Sequence, residues 1–125
     1  MIKGIGLDIV QIDRIESALT RTDGFAARIL NDREQQEFLV SKQPARFLAK
    51  RFAVKEAVSK ALGTGIGRGV SFQDIELMKR ETGQPYIELS GGAQEVSDKL
   101  GISDWFISYS DEQNYVVAQA VGEGH

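Results

Sequence analysis

The chain of 125 residues has no cysteine and only one histidine. Without cysteine it can form no disulfide, no thiolate metal site and no thiol nucleophile. The histidine, His125, ends the segment 122–125, which we expect to be a loose tail and a candidate expression remnant behind a single domain of residues 1–121. With His125 set aside, a serine–histidine–aspartate triad and a histidine-based zinc site are excluded. Acid–base and metal chemistry then falls to carboxylates, lysine, tyrosine and hydroxyls.

Long apolar runs and a strong excess of one charge are also missing. No stretch approaches the roughly 18 apolar residues of a membrane-spanning helix, and no basic segment followed by an apolar one marks a secretory signal. A net charge of −3 argues against a general nucleic-acid binder. The composition, 42% hydrophobic and 26% charged, is that of an ordinary globular domain. Together with the lack of cysteine, these features predict a cytoplasmic protein.

An acidic residue lies within the first apolar stretch of the chain. Residues 2–10 predict a buried strand, in which Gly4 and Gly6 allow another backbone to approach closely. Asp8 is unfavourable inside such a strand unless its charge is paired or bound to a metal ion. The alternative is an aspartate at the end of the strand that caps the following helix. If Asp8 is a metal ligand, its oxygens favour magnesium or manganese.

Residues 44–69 begin as a long helix and end in a glycine-rich run. Pro44 suits the first helical turn, and Gly63 supplies the stop. The apolar face changes sides halfway along, from Ala45, Leu48, Ala49, Phe52 and Ala53 to Val54, Ala57, Val58, Ala61 and Leu62. Lys55, Glu56, Ser59 and Lys60 take over the first sector. This pattern indicates either a solvated face with a Glu56–Lys60 surface pair or a helix that runs from the core into a site.

Three arginines recur at intervals of seven residues, at Arg14, Arg21 and Arg28. Arg14 lies off the apolar side of a short helix predicted over residues 13–20. The three are either a basic patch for an acidic partner or ordinary solvated side chains. Downstream, Asn31 and Glu34 fit a capping box that opens a helix running to about residue 42.

The remaining segments predict four strands and one more helix. The glycine-rich run 63–69 has neither a dinucleotide-binding spacing nor a P-loop lysine, so we interpret it as a connector. Strands are predicted around residues 75–77, 86–89, 105–110 and 115–121, with a turn at 81–85 and a helix over 93–100. The order β-α-α-α-β-β-α-β-β predicts an α+β domain with a mostly antiparallel sheet and a long central helix.

Two separated motifs carry a resemblance to a known family. Gly6-Leu7-Asp8 matches a G-x-D pattern, and the segment from Phe52 to Lys60 matches a W/F-x-x-K-E-x-x-x-K pattern. In motif order and in chain length the protein resembles the holo-[acyl-carrier-protein] synthase family, the small-type 4'-phosphopantetheinyl transferases. The resemblance implies the fold of those transferases and favours a site on the central helix.

The resemblance also implies a reaction. Members of the family transfer the 4'-phosphopantetheine arm of coenzyme A to a serine of apo acyl carrier protein, with Mg²⁺, and release adenosine 3',5'-bisphosphate in support of fatty acid biosynthesis. Asp8 and Glu56 match the metal-binding pair, and Lys60 matches the group on the pyrophosphate, so these three are the implied catalytic residues. The base for the serine stays open between a metal-held water near Glu56 and one near Asp8.

Other implied roles concern the substrates. Arg51 and Lys60 match positions that bind coenzyme A, and the turn Gly83-Gln84-Pro85 matches one beside the adenine. The resemblance implies that Arg14, Arg21 and Arg28 form a docking surface for the carrier protein. Related enzymes assemble as trimers with sites between subunits, so a homotrimer is expected here.

One position departs from the family pattern. Many relatives carry Ser-His where this chain has Ser110-Asp111, and a carboxylate cannot neutralise the 3'-phosphate of coenzyme A as a protonated histidine could. The alternatives to an enzyme are a non-catalytic module that binds coenzyme A or a carrier protein, and a structural protein. A structural protein would leave Asp8 unexplained.

Overall fold

The predicted central helix runs from Pro44 to Ala61 in the computed structural model, which describes residues 1–125. Around it the chain forms five strands and four further helices. In chain order these are β1 (Ile2–Gln11), α1 (Ile12–Arg21), α2 (Phe25–Ile29), α3 (Asp32–Leu39), α4 (Pro44–Ala61), β2 (Ile75–Lys79), β3 (Pro85–Leu89), α5 (Gly91–Lys99), β4 (Ile102–Asp111) and β5 (Tyr115–Gly124), with a 3-10 turn at Phe72–Asp74.

All strand pairs are antiparallel. One sheet has the order β1-β5-β4, and β2 pairs with β3 in a separate hairpin. The α+β class with antiparallel sheets is therefore confirmed. No helix is long and apolar enough to cross a membrane.

Helix α4 is buried on more than one side, which explains why its apolar stripe changes sector. Pro44 occupies the first turn, and Gly63, at φ 81°, follows the last turn in the left-handed conformation. The first half buries Leu48, Ala49 and Ala53, and the second half buries Ala57 and Val58 on the other side. The helix thus serves as the core of the domain, with the three-stranded sheet on one side and α1, α3 and β2 around the rest.

Strand β1 lies directly on α4. A methyl group at Gly6 would overlap the carbonyl oxygen of Ala57, and one at Gly4 would overlap that of Ala61, so only glycine permits this approach. The close contact brings Asp8 alongside the second half of α4. Asp8 pairs with Ala118 within the strand, and Gln11 is the residue that precedes α1, so the helix-cap alternative for Asp8 is wrong.

The expectation of a loose tail is also wrong for residues 122–124. β5 extends to Gly124, and Glu123 pairs with both Ile2 and Asp104. The amino terminus of Met1 donates to the carbonyl oxygen of Gly124 at 2.8 Å. Gly124 is buried because its lack of a side chain lets it lie against the backbone of Gly101. Glycines that suggest a flexible tail instead allow the last strand to pack tightly.

Two helix boundaries and one short helix differ from the sequence-based expectation. The helix opened by the Asn31–Glu34 capping box ends at Leu39 rather than near residue 42, and α5 begins at Gly91. Helix α2, Phe25–Ile29, was not predicted, since five residues are too few for a periodic signal. The capping box itself is confirmed, with Glu34 N donating to Asn31 Oδ1 at 2.9 Å.

The outer face of the three-stranded sheet is apolar and uncovered. Ile5, Leu7 and Ile9 of β1 are 66%, 62% and 62% exposed. The residues beside them on β5 and β4 include Val117, Val121 and Phe106. Gln119, Ser108 and Ser110 lie on the same face. A group of exposed apolar side chains of this kind on a single chain indicates a surface for association.

Candidate active site

Asp8 and Lys60 meet where β1 crosses α4. The Lys60 ammonium donates to Asp8 Oδ1 at 3.0 Å and to the carbonyl oxygen of Leu7 at 3.0 Å. The Asp8 side chain is only 14% exposed, and its second oxygen, Oδ2, is buried with no hydrogen-bond partner. A buried carboxylate oxygen without a donor is costly, so it requires a ligand that the chain itself does not supply.

Glu56 completes the cluster. Partial burial raises the pKa of Glu56, the neighbouring Asp8 carboxylate raises it further, and Lys60 acts in the opposite direction. Two carboxylates and one ammonium thus share this corner of the helix. The sequence-predicted Glu56–Lys60 surface pair does not form, since Lys60 is engaged with Asp8.

The cluster fits a hard divalent cation that has few protein ligands. No group of three or more acidic, histidine or cysteine side chains could hold a metal ion. Mg²⁺ commonly takes only one or two carboxylates and completes its shell with water and substrate phosphates. A cation held by Asp8 and Glu56 would give Oδ2 of Asp8 a partner and would offset the repulsion between the two carboxylates.

An apolar groove runs from Asp8 to Arg14. Its volume is about 580 Å³, and its walls include Ile15, Phe25 and Phe52. Arg14, Arg21 and Arg28 are all exposed, and none of them forms an ion pair. The groove therefore joins the carboxylate corner to an unpaired cationic surface.

A second cleft, of about 640 Å³, lies between α3, α4 and β2. It is lined by six cationic side chains and two carboxylates, namely Arg33, Lys42, Arg46, Lys50, Arg51, Lys79, Glu37 and Glu76. This excess of positive charge stands out in a chain with a net charge of −3. The cleft and the groove beside Asp8 share no lining residue.

Arg51 is the most constrained cation of this cleft. Its guanidinium carbon lies 3.7 Å from the centre of the Phe47 ring, and Nη2 donates to Glu37 Oε2 at 3.3 Å. Burial lowers the pKa of Arg51, and the charges of Glu34 and Glu37 oppose that shift. Arginine remains protonated, so Arg51 presents a fixed positive charge whose buried Nε has no partner.

The predicted turn Gly83-Gln84-Pro85 lies next to this cleft rather than in it. Gly83 has φ 91°, and its N–H donates to the carbonyl oxygen of Arg80 at 2.8 Å. Pro85 pairs with Lys79, which lines the cleft. The structure thus groups the predicted nucleotide residues with Arg51 and groups Glu56 with Asp8 and Lys60.

Two ionic clusters, one exposed and one buried, were missed by sequence reasoning. Asp111 accepts from Arg46 and, at 2.9 Å, from Lys50. The signal was available, because Arg46 and Lys50 are one helical turn apart on the same side of α4.

The second missed cluster is the Lys55–Glu34 pair. Lys55 is completely buried and bonds Glu34, although the apolar pattern placed it on the site-facing or solvated sector. Burial lowers the pKa of Lys55, and the Glu34 charge opposes that shift.

Comparisons with known proteins agree with the motifs. A family model of the 4'-phosphopantetheinyl transferase superfamily matches residues 4–120. The chain is 50% identical over 123 residues to the holo-[acyl-carrier-protein] synthase of Vibrio vulnificus, and the aligned region covers 98% of each chain. The crystal structure of holo-[acyl-carrier-protein] synthase from Neisseria meningitidis superposes with a TM-score of 0.90 at 41% identity, over 98% of this chain and 99% of that one.

A structure that holds a nucleotide is also similar. The holo-(acyl-carrier-protein) synthase of Bacillus anthracis, in complex with CoA (3',5'-ADP), matches with a TM-score of 0.85 at 39% identity, over 100% of this chain and 99% of that one. The resemblance found in Gly6-Leu7-Asp8 and in the segment from Phe52 to Lys60 is confirmed. The chain therefore belongs to the holo-[acyl-carrier-protein] synthase family of the 4'-phosphopantetheinyl transferase superfamily, and it is an enzyme of that class.

Proposed function

We propose that the protein transfers the 4'-phosphopantetheine arm of coenzyme A to a serine of apo acyl carrier protein, in a Mg²⁺-dependent reaction that releases adenosine 3',5'-bisphosphate. The observation that carries this proposal is the buried, unpartnered Oδ2 of Asp8 beside Glu56 and Lys60. We further propose that the reaction serves fatty acid biosynthesis in the cytoplasm, as the resemblance and the absence of cysteine indicate.

Asp8 and Glu56 would hold the metal ion. Their oxygens are the ligands that Mg²⁺ prefers, and two of them leave room for water and for the pyrophosphate of coenzyme A. When bound, Mg²⁺ supplies a positive charge that neutralises the phosphate oxygens. Glu56 must be ionised for this role, against the burial and the Asp8 charge that raise its pKa.

Lys60 would act on the leaving group. The serine oxygen attacks the phosphorus that carries pantetheine, and the bond from that phosphorus to the oxygen of adenosine 3',5'-bisphosphate breaks. In such phosphoryl transfers the protein mainly positions groups and stabilises developing charge. The Lys60 side chain is 49% exposed, so its ammonium can turn from Asp8 to the departing phosphate oxygen and stabilise the charge there.

The carrier protein would dock on the cationic surface of Arg14, Arg21 and Arg28. These arginines have no acidic partner within the chain, so they are available to an acidic one. The apolar groove from Arg14 to Asp8 would receive a side chain near the reactive serine. Docking at Arg14 then directs the serine toward Asp8 and Glu56.

The nucleotide end of coenzyme A would occupy the cationic cleft around Arg51. Its phosphates carry several negative charges, which match the excess of lysine and arginine there. The turn Gly83-Gln84-Pro85, next to Lys79, would contact the adenine.

We also propose a homotrimer with sites shared between copies. Within one chain the Arg51 cleft and the Asp8 groove have no residue in common, yet one coenzyme A molecule must reach both. The uncovered apolar face at Ile5, Leu7 and Ile9 provides a surface on which copies can associate. A site built from the cleft of one copy and the carboxylate pair of its neighbour resolves the separation.

The proposed reaction is tested by the intact mass of an apo acyl carrier protein after incubation with this protein and coenzyme A. We expect a gain of one phosphopantetheine with Mg²⁺ and none with a chelator. The carrier must be one that a control transferase modifies. No gain under those conditions would overturn the proposed reaction and favour a relative that binds coenzyme A or a carrier protein without turnover.

A further inference from the structure

Lys55 lies next to Glu56 in the sequence but points into the protein interior. Its ammonium is completely buried, and it donates to Glu34 Oε1 at 2.5 Å and to the carbonyl oxygen of Ile29 at 2.7 Å. No part of the proposed reaction uses this group. A fully buried lysine is rare, and it requires a reason in the structure.

Glu34 connects the lysine to two more segments. Its Oε1 also accepts from the N–H of Asn31 at 3.1 Å, and its Oε2 accepts from the N–H of Leu77 at 3.1 Å. The Lys55–Glu34 pair therefore joins the end of α2, the start of α3, the middle of α4 and strand β2. Hydrogen bonds in such a dry network are directional, so they fix orientations that apolar contacts leave adjustable.

The other side of α4 is fixed by β1. Ala57 and Ala61 present their carbonyl oxygens to the surface left free by Gly6 and Gly4. With 3.6 residues per turn, Lys55 and Ala57 lie about 200° apart around the helix axis. The helix is thus held from two nearly opposite directions, and Glu56 projects between them.

We propose that Lys55 and Glu34 form a positioning pair that sets the rotation of α4 about its axis and so places Glu56 against Asp8, an inference that rests on the proposed function. The end of a helical side chain lies about 5–6 Å from the axis, so a rotation of about 10° moves the Glu56 carboxylate by roughly 1 Å. A displacement of about 1 Å at a reacting centre can cost on the order of 100-fold in rate.

Stability alone is a weak reason for a buried ion pair. Replacement of a buried ion pair by well-packed hydrophobic groups of similar volume is often neutral or stabilising, whereas removal of one partner is strongly destabilising. A variant that neutralises both partners therefore separates the positioning role from the stability of the fold. K55M removes both bonds that the ammonium donates, and E34Q keeps a side-chain oxygen that can still accept from a backbone N–H.

The test compares the wild-type protein with the double variant K55M/E34Q. We expect the double variant to melt within a few degrees of wild type while kcat falls at least tenfold. We also expect its affinity for Mn²⁺, followed by electron paramagnetic resonance with coenzyme A present, to fall several-fold. The reason is that the carboxylates of Asp8 and Glu56 would no longer be placed to bind one metal ion together. A purely structural pair would change neither quantity in a folded protein.

The matched control is Ser97→Ala in α5. Ser97 is buried and bonds the carbonyl oxygen of Ile102, so its loss should lower the melting temperature and leave kcat and Mn²⁺ affinity unchanged. Wild-type kcat and Mn²⁺ affinity in a folded K55M/E34Q variant would overturn the positioning role. If that double variant does not fold, K55Q/E34Q decides by the same two readouts, since it also removes both charges and keeps a side-chain donor at position 55 for the carbonyl oxygen of Ile29. Absence of transfer by the wild-type protein would overturn the proposed function instead.

Discussion

The Lys60 ammonium lies 3.0 Å from Asp8 Oδ1, across the contact between β1 and α4, and leaves Asp8 Oδ2 buried without a partner. The lysine therefore bonds one oxygen of the carboxylate and leaves the other oxygen for a partner from outside the chain. Glu56, whose pKa is raised by burial and by Asp8, shares the same corner. This relationship links the two sequence motifs in space and underlies the predictions that follow.

The first prediction concerns carrier docking. Reversal of charge in Arg14→Glu should raise the KM for apo acyl carrier protein about fivefold or more at low salt, because one close charge contact corresponds to ~1 kcal/mol in water. The KM for coenzyme A should stay nearly constant. Steady-state kinetics with each substrate varied in turn measures both values. The control is Lys99→Glu, a charge reversal at an exposed position at the end of α5. If Arg14→Glu raised the KM values for both substrates equally, the proposed docking surface would be contradicted.

The second prediction concerns the stability of the metal-free protein. The folded-state pKa of Glu56 is raised, so its carboxylate destabilises the fold at pH values above that pKa and has no effect below the unfolded-state pKa, where both states are protonated. Glu56→Gln should therefore melt a few degrees higher than wild type at pH 7.5 in chelator, with the gain vanishing near pH 4. Thermal melts at the two pH values test this. A lower melting temperature at pH 7.5 would contradict it.

The third prediction concerns Asp111, the position that departs from the family pattern. Burial tends to raise the pKa of Asp111, but hydrogen bonds from Lys50 and Arg46 outweigh burial and lower the pKa. A lowered pKa stabilises the fold above the unfolded-state value and is lost as the pH falls through the folded-state value. Asp111→Asn should therefore lower the melting temperature at pH 7, and thermal melts should show that difference shrinking as the pH falls below the unfolded-state pKa.

The same Asp111→Asn variant should bind coenzyme A more tightly, by about threefold at low salt, since removal of one negative charge leaves Arg46 and Lys50 less neutralised at the cleft. Isothermal titration measures the affinity. Weaker binding would mean that Asp111 is needed to orient Arg46 and Lys50, not merely to balance their charge.

The fourth prediction concerns the shared site. Glu56→Gln and Arg51→Ala should each be inactive alone, because each removes one half of every site. Equal mixing, with exchange of subunits, should restore about one quarter of wild-type activity, because one site in four then takes both intact halves from different chains. Leu7→Glu on the uncovered face should abolish both the assembly and the recovery, whereas Leu39→Glu on α3 should abolish neither. No recovery in an assembled mixture would place both halves in one chain.

The elements that depend on local signals could be predicted from the sequence. Pro44 and Gly63 bound the central helix, Asn31 and Glu34 form the capping box, and Gly4 and Gly6 mark the close approach of β1 to that helix. The helix ends and the capping box depend on backbone conformation and on residues close in sequence. The close approach of β1 depends on the small size of glycine.

Features that depend on distant partners could not be predicted. Lys55 reads as a solvated residue because only the folded chain brings Glu34 and Ile29 to it. The glycines at 122 and 124 read as a flexible tail because their close packing depends on residues 101 and 102. The separation of Arg51 from Asp8 likewise depends on how β2 and α3 pack on α4.

The fifth prediction tests the central claim, that Asp8 and Glu56 hold the metal ion that transfer requires. The measurement is single-turnover transfer, followed by the intact mass of the carrier protein, over a titration of Mg²⁺. Asp8→Asn and Glu56→Gln should each raise the Mg²⁺ concentration for half-maximal transfer at least tenfold, or abolish transfer, because each removes one of two protein ligands. Glu76→Gln, which removes a carboxylate of the cationic cleft, should leave that concentration unchanged. Wild-type Mg²⁺ dependence in both Asp8→Asn and Glu56→Gln would contradict the account.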